Sequence, residues 1–157
     1  FDSLVFFINR YVRDSHAAED IAIDAFSDLI VHPHRYNFRV TLKTYLFMLG
    51  RSRALNYIKH HARMVPTDFS EAEELPSPAK TPQDIALANE QRRIVSAALR
   101  SLPQEMASVI HLIYFEELSY AEAGKVMKKT PKQIDNLLYR AKKELRAVLG
   151  EEGEQLL

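Results

Sequence analysis

The chain has 157 residues, 46% of them hydrophobic, with 21 Lys/Arg balanced by 21 Asp/Glu and no cysteine. That length allows one domain or two small ones. The missing cysteines exclude disulfides and thiolate metal sites and fit a reducing, cytoplasmic compartment, while zero net charge argues against indiscriminate coating of nucleic acid. Glycine is scarce and no stretch alternates strongly, so an all-α chain is expected; no apolar run is long enough for a bilayer, and no signal peptide is visible. The chain opens at Phe1 inside a helix signal, which reads as a trimmed natural start.

A first helix is predicted to end near Arg13 and a second to run from about His16 to Val31. In the second, Asp20, Asp24 and Asp28 fall four apart along one edge, beside an apolar arc of Ile21, Ala25, Phe26, Leu29 and Ile30. Like charges at that spacing cost a few tenths of a kcal/mol per pair (~0.2–0.5) in an isolated helix, a cost that a basic protein partner would convert into attraction. Simple solubility is the commoner reason for such an edge. A loop, HPHRYNFRVT, leads to a long helix from about Leu42 to His61. Its main polar stripe is Thr41, Tyr45, Ser52, Asn56, Lys59 and Arg63, and residues 42–63 carry five Lys/Arg and no acid. Aromatic, amide and cation in one stripe suit a strand with exposed bases; they suit equally a core helix with a wet edge, and periodicity leaves the two readings even.

Residues 65–84 hold four prolines, and 64–84 carry five acids against one lysine. Helices do not tolerate that proline density, so residues 64–83 are expected to be an acidic linker between helical domains at 1–63 and 84–150, with 151–157 a tail. The second domain is expected to hold helices from about Pro82 to Arg100 and from about Pro103 to Glu116, then a pair capped by Ser119 and Thr130. In the last helix Ile134, Leu137, Leu138, Ala141, Leu145 and Val148 form the buried stripe. Lys132, Asn136, Tyr139 and Lys143 gather opposite, with Gln133 and Arg140 flanking them. Pro131 suits the first helical position and Gln133 completes a capping-box pattern. Small Ala123 and Gly124 permit close approach, so the pair reads as a helix-turn-helix whose second helix would enter the major groove. Asn and Gln can pair with adenine there, Lys with guanine or phosphate, and Lys128 and Lys129 in the turn would hold phosphates. Eight Lys/Arg against two acids in 125–146 thus form a local phosphate footprint that acids elsewhere neutralise in the total.

No catalytic set is visible, and no cofactor motif. His32, His34, His60 and His61 could suggest a metal hydrolase, but two lie in a loop and two point to different helix faces, so no metal site is expected. A self-sufficient helix-turn-helix regulator of operator DNA is a nearer reading, but it would leave the stripe and the acidic linker without a purpose.

The ordered set "AEDIAIDAF", "LKTYLFMLGRSRALNYIK", the linker, and "LPQEMASVIHLIYFEELSYAEAGKVMKKTPKQIDNLLYRAKKEL" resembles the bacterial RNA polymerase sigma factors of the extracytoplasmic-function group. The resemblance implies a promoter-specificity factor for core RNA polymerase, without turnover of its own. It implies that the helix with Asp20, Asp24 and Phe26 docks on the polymerase, with Asp28 on the same edge. The loop and long helix would melt and read the −10 element: Asn37, Phe38 and Arg39 would line a pocket for a flipped base, and Tyr45, Arg51, Ser52, Asn56 and Lys59 would contact the strand. Lys132, Gln133, Asn136 and Arg140 would read the −35 element, and the linker would thread toward the RNA exit path. Many relatives are held by an anti-sigma factor. This sequence departs from the family's usual residues at Tyr45, Gly50, Ser52, Ala107 and Ile113, so no relative's promoter sequence transfers to it. Whether the domains pack together in the free chain is left open.

Overall fold

A computed structural model describes residues 1–63 and 82–150; the expected linker falls largely, and the tail wholly, outside them. Every regular element among the described residues is helical. Helix α1, Asp2–Val12, buries Leu4, Val5, Phe7, Ile8 and Tyr11, a spacing that lines one side of a helix. It ends where Arg13 turns left-handed, and Asp14 then caps α2, Ser15–Val31, by accepting the Ala17 N–H at 3.1 Å. Small Ala18, Ala22 and Ala25 on α2 sit fully buried beside Ile21. Helix α3, Leu42–His61, is capped by Thr41 and closes the three-helix unit. A Cβ on Gly50 would lie 2.9 Å from Leu4 Cδ1 and 3.1 Å from Ile8 Cδ1, so α1 and α3 approach closely here.

The second unit comprises α4 (Pro82–Ser101), α5 (Gln104–Ile110), α6 (Tyr120–Met127) and α7 (Pro131–Leu149). Its core is built on Leu99, Leu112, Val126, Ile134, Leu138 and Leu145. The sequence predicts one helix from Pro103 to Glu116; instead α5 gives way to a π turn, His111–Phe115. The Glu116 N–H reaches back five residues to the His111 carbonyl (3.1 Å), and the Leu118 N–H reaches the Leu112 carbonyl (3.0 Å). This wider turn buries His111 and Glu116 and leaves Tyr114 and Phe115 at the surface.

The two units are packed together. Tyr11 Oη and Ser108 Oγ meet at 2.7 Å in a buried contact, and an Arg10 guanidinium N–H reaches the Ala107 carbonyl at 3.3 Å. The Gln104 amide donates to the Arg10 carbonyl at 3.1 Å. The His111 ring lies against Phe7 and Phe47, with centroids 5.6 and 6.1 Å away. Its Nε2 is 3.2 Å from Glu116 Oε1, while its Nδ1 has no partner. Burial pushes His111 below its ordinary pKa of 6.5, against the pull of Glu116, so a neutral ring donates Nε2–H to a carboxylate. Burial alone would raise Glu116, but hydrogen bonds from His111 and Lys43 outweigh it and hold the carboxyl below 4.5. Arg10 and Lys43 are the other charges facing the ring.

Both shifts have the same consequence. The unfolded chain binds more protons than the folded one below pH 6.5, through His111, and again below 4.5, through Glu116, so stability falls with acid. The urea midpoint should drop between pH 7.5 and 5, and His111→Phe should flatten that dependence. An unchanged midpoint over this range in the wild-type chain would contradict the buried neutral histidine.

Candidate nucleic-acid and polymerase interfaces

Helices α6 and α7 each begin with a complete capping box: Ser119 with Glu122, and Thr130 with Gln133. Ser119 and Thr130 accept the N3 amides at 3.1 and 3.2 Å, and the Glu122 and Gln133 side chains accept the cap amides at 2.9 and 2.8 Å. Between them Lys128 adopts a left-handed conformation (φ 55°), which ends α6, and the Lys129 N–H returns to the Gly124 carbonyl at 2.8 Å. A Cβ at Gly124 would lie 2.4 Å from the Lys129 carbonyl oxygen. The close approach predicted for this glycine is therefore to the turn backbone, with Ile134 of the next helix behind it.

On α7, Ile134, Leu137, Leu138, Ala141 and Leu145 are buried, while Lys132, Gln133, Asn136, Tyr139, Arg140 and Lys143 are exposed. Lys129, Gln133, Asn136 and Arg140 line one open cleft with Glu105 and Leu137. Lys129 pairs with Glu105 at 3.3 Å, a half-exposed contact worth little in water and readily exchanged for a phosphate. Lys128 is exposed beside it. Val148, assigned by spacing to the buried stripe, is half exposed near the helix end.

The loop before α3 starts as a 3-10 turn, Pro33–Arg35, and is held by short bonds. The Tyr36 hydroxyl donates to the Val40 carbonyl at 2.7 Å, and Asn37 Oδ1 accepts the Arg39 N–H at 3.1 Å. These bonds leave Phe38 at φ 60°, a conformation costly for a residue with a side chain, and 83% exposed. Its ring lies 4.5 Å from Tyr36, which lies 5.1 Å from Tyr45, so three aromatic rings form one open cluster at the start of α3. Sequence reasoning singled out Phe38 and Tyr45 but missed Tyr36 between them; the aromatic spacing within the loop was the available signal. Ser52, Asn56 and Lys59 follow along α3, all exposed. Arg51 does not join them: its guanidinium lies 5.9 Å over the Tyr11 ring, and its Nε is buried without a partner.

The acidic edge of α2 divides. Asp20 and Asp24 are exposed, next to Ile23, Ile30 and Val31, which are 51%, 78% and 66% exposed. Ile30, placed by spacing in the apolar arc, faces outward. Asp28 is turned inward: it binds Arg35 at 2.8 Å and Arg53 at 3.6 Å, tying α2 to the aromatic loop and to α3. Phe26 is half-buried against Phe1, with ring centroids 5.9 Å apart.

His32 and His34 meet edge to face at 5.8 Å, and His61 stacks on Tyr57 at 4.0 Å. Among the described residues no three His, Cys, Asp or Glu gather as a metal set, and no helix is long and apolar enough to cross a membrane.

Each unit matches a separate region of one class of bacterial transcription factor. The family model for sigma-70 region 2 matches residues 2–64, and that for sigma-70 region 4 matches residues 92–145. Among curated relatives, the ECF RNA polymerase sigma factor SigM of Bacillus subtilis is 26% identical over 142 residues, covering 90% of this chain and 85% of its own. The ECF RNA polymerase sigma-E factor of Escherichia coli K12 is 25% identical over 146 residues, with 88% and 76% covered. The sigma factor RpoE of Bartonella quintana, solved in complex with the anti-sigma factor NepR, shares the fold at a TM-score of 0.72 and 18% identity, over 96% of this chain and 91% of that one. The chain belongs to the sigma-70 family, as a sigma factor of the extracytoplasmic-function group. It acts with core RNA polymerase to direct transcription initiation at promoters.

Proposed function

We propose that the two exposed polar faces divide promoter recognition between them. The doubly capped α7 presents Gln133, Asn136 and Arg140 to base edges of the −35 element, while Lys128, Lys129, Lys132, Tyr139 and Lys143 border the duplex. The Tyr36–Phe38–Tyr45 cluster, with Asn37 and Arg39, receives an unstacked base of the −10 element, and Ser52, Asn56 and Lys59 track the strand along α3. Asp20, Asp24 and the exposed Ile23, Ile30 and Val31 form the polymerase-docking face. Asp28 and Arg51 support these surfaces from within. The acidic segment 64–83 follows the path of nascent RNA through polymerase. The factor works in the cytoplasm, the chemistry is the polymerase's own, and an anti-sigma protein of the kind bound by the Bartonella quintana relative is a candidate regulator.

The observation that carries this reading is the amide-and-cation face of α7, exposed on a helix whose start is fixed by a complete capping box. Asn136→Ala, read by transcription from a randomised promoter library with core polymerase, should relax preference at one or two upstream positions. Each lost base contact should cost about 1–3 kcal/mol of discrimination. Selectivity identical to the wild type would contradict this docking of α7.

A further inference from the structure

On α2, Asp28 lies between the exposed Asp24 and Ile30, yet its own side chain is only 13% exposed. Two arginines from different elements converge on it. Arg35, in the loop, brings its guanidinium to 2.8 Å from Oδ1, and Arg53, on α3, comes within 3.6 Å of Oδ2. The backbone of the same residue takes part: the Asp28 carbonyl accepts the His32 N–H at 2.8 Å, where α2 ends and the loop begins. From there the His32 carbonyl accepts the Arg35 N–H at 3.0 Å, and the Pro33 carbonyl the Tyr36 N–H at 3.2 Å. Asp28 thus fastens the loop at its entry by backbone and side chain together.

The residues just beyond that point carry the aromatic cluster. Tyr36 follows Arg35 directly; its ring lies against both Phe38 and Tyr45, and its hydroxyl holds the Val40 carbonyl. Phe38 keeps a left-handed backbone, φ 60°, which persists only where the surroundings over-determine it. Arg53 stands on α3 about two turns beyond Tyr45. One carboxylate therefore joins the loop bearing two rings to the helix bearing the third. Rings set before a base arrives spend none of its stacking energy on ordering the loop.

We propose that Asp28 is a positioning residue for base capture: through Arg35 and Arg53 it holds Tyr36 and Phe38 in register with Tyr45. It acts through the loop and touches neither DNA nor polymerase. The proposal rests on the −10 reading above and deepens it. A carboxylate that merely strengthened the three-helix unit would leave the response to the base itself unchanged, and the two roles separate on that point.

The test uses holoenzyme, made from core polymerase and the full-length factor, and a fork-junction promoter whose −10 nontemplate strand is unpaired. Each −10 nucleotide is replaced in turn by an abasic residue, and affinity is read by fluorescence anisotropy. With the wild-type factor one position should lose about tenfold or more in affinity when its base is removed. Asp28→Asn keeps the shape and removes the charge. It should bind the intact probe as weakly as the wild type binds the abasic one, and at that position its own loss should shrink to about twofold or less. Its assembly with core polymerase and its −35 preference should be unchanged. Arg35→Gln, at a side chain more than half exposed, should behave in the same way and decides the matter if Asp28→Asn fails to fold. Variants as sensitive to the missing base as the wild type would overturn the proposal. So would weakened assembly with core polymerase, which would return Asp28 to the docking face. A wild-type factor indifferent to abasic substitution at every position would contradict the −10 reading itself, and the proposal with it.

Discussion

Asp20→Lys with Asp24→Lys should abolish association with core RNA polymerase while leaving the helical content of the free chain unchanged. Both carboxylates are exposed on α2 and make no contact that the three-helix unit depends on, so reversing them alters the surface and not the core. They flank Ile23, and Ile30 and Val31 continue the exposed apolar surface toward the end of the helix. A partner surface complementary to it must carry cations around an apolar centre. Two ammonium groups there replace attraction with repulsion; losing close charge pairs of this kind costs about 2–5 kcal/mol in binding, and reversal costs more. Size-exclusion or fluorescence-anisotropy titration against core enzyme reads the loss directly. Normal assembly by the double variant would remove the acidic face from the docking surface. Asp28 is deliberately kept, because stripping Arg35 and Arg53 of their shared carboxylate would disturb the aromatic loop and confuse the result.

Gly124→Ala should disable the helix-turn-helix through its backbone. Alanine in a helix normally gains about 1 kcal/mol over glycine. Here the added methyl would lie 2.4 Å from the Lys129 carbonyl oxygen, and the chain is fixed on both sides of that carbon: the Lys129 N–H bonds to the Gly124 carbonyl and the Thr130 N–H to the Gln133 side chain, each at 2.8 Å. Relief requires opening the turn that aims α7. The net result should be a loss of about 2 kcal/mol of stability, seen as a lower urea midpoint, together with about tenfold or weaker use of −35-dependent promoters. The same change at Gly50 meets side-chain atoms of Leu4 and Ile8 and no backbone, so it should be milder. An equally stable Gly124→Ala chain would show that the turn does not need glycine.

Local chemistry made much of the fold legible. The apolar spacing of α2, α3 and α7 and the caps Ser119 and Thr130 act within a few residues, so the sequence displays them directly. The π turn is different. Its five-residue reach is stabilised by what His111 and Glu116 meet on α1 and α3, and Ser3 and Lys43 lie more than seventy positions away along the chain. The packing of the two units was hidden for the same reason. Asp28 looked like Asp20 and Asp24 because a helical wheel cannot see that Arg35 and Arg53 return to it. The stripe on α3 is ambiguous between core edge and strand contact because both leave Ser52, Asn56 and Lys59 exposed, as they are; Arg51 instead turns inward over the Tyr11 ring.

The central claim is that this chain lets core polymerase open a promoter by gripping it at two places. Permanganate footprinting of promoter DNA, with core enzyme plus the purified factor, tests it most directly. Unpaired thymines should appear across the −10 region only when both proteins are present, and should fade when Phe38 is replaced by Ala. A duplex that stays closed at every promoter supplied, despite formation of the complex, would contradict the account.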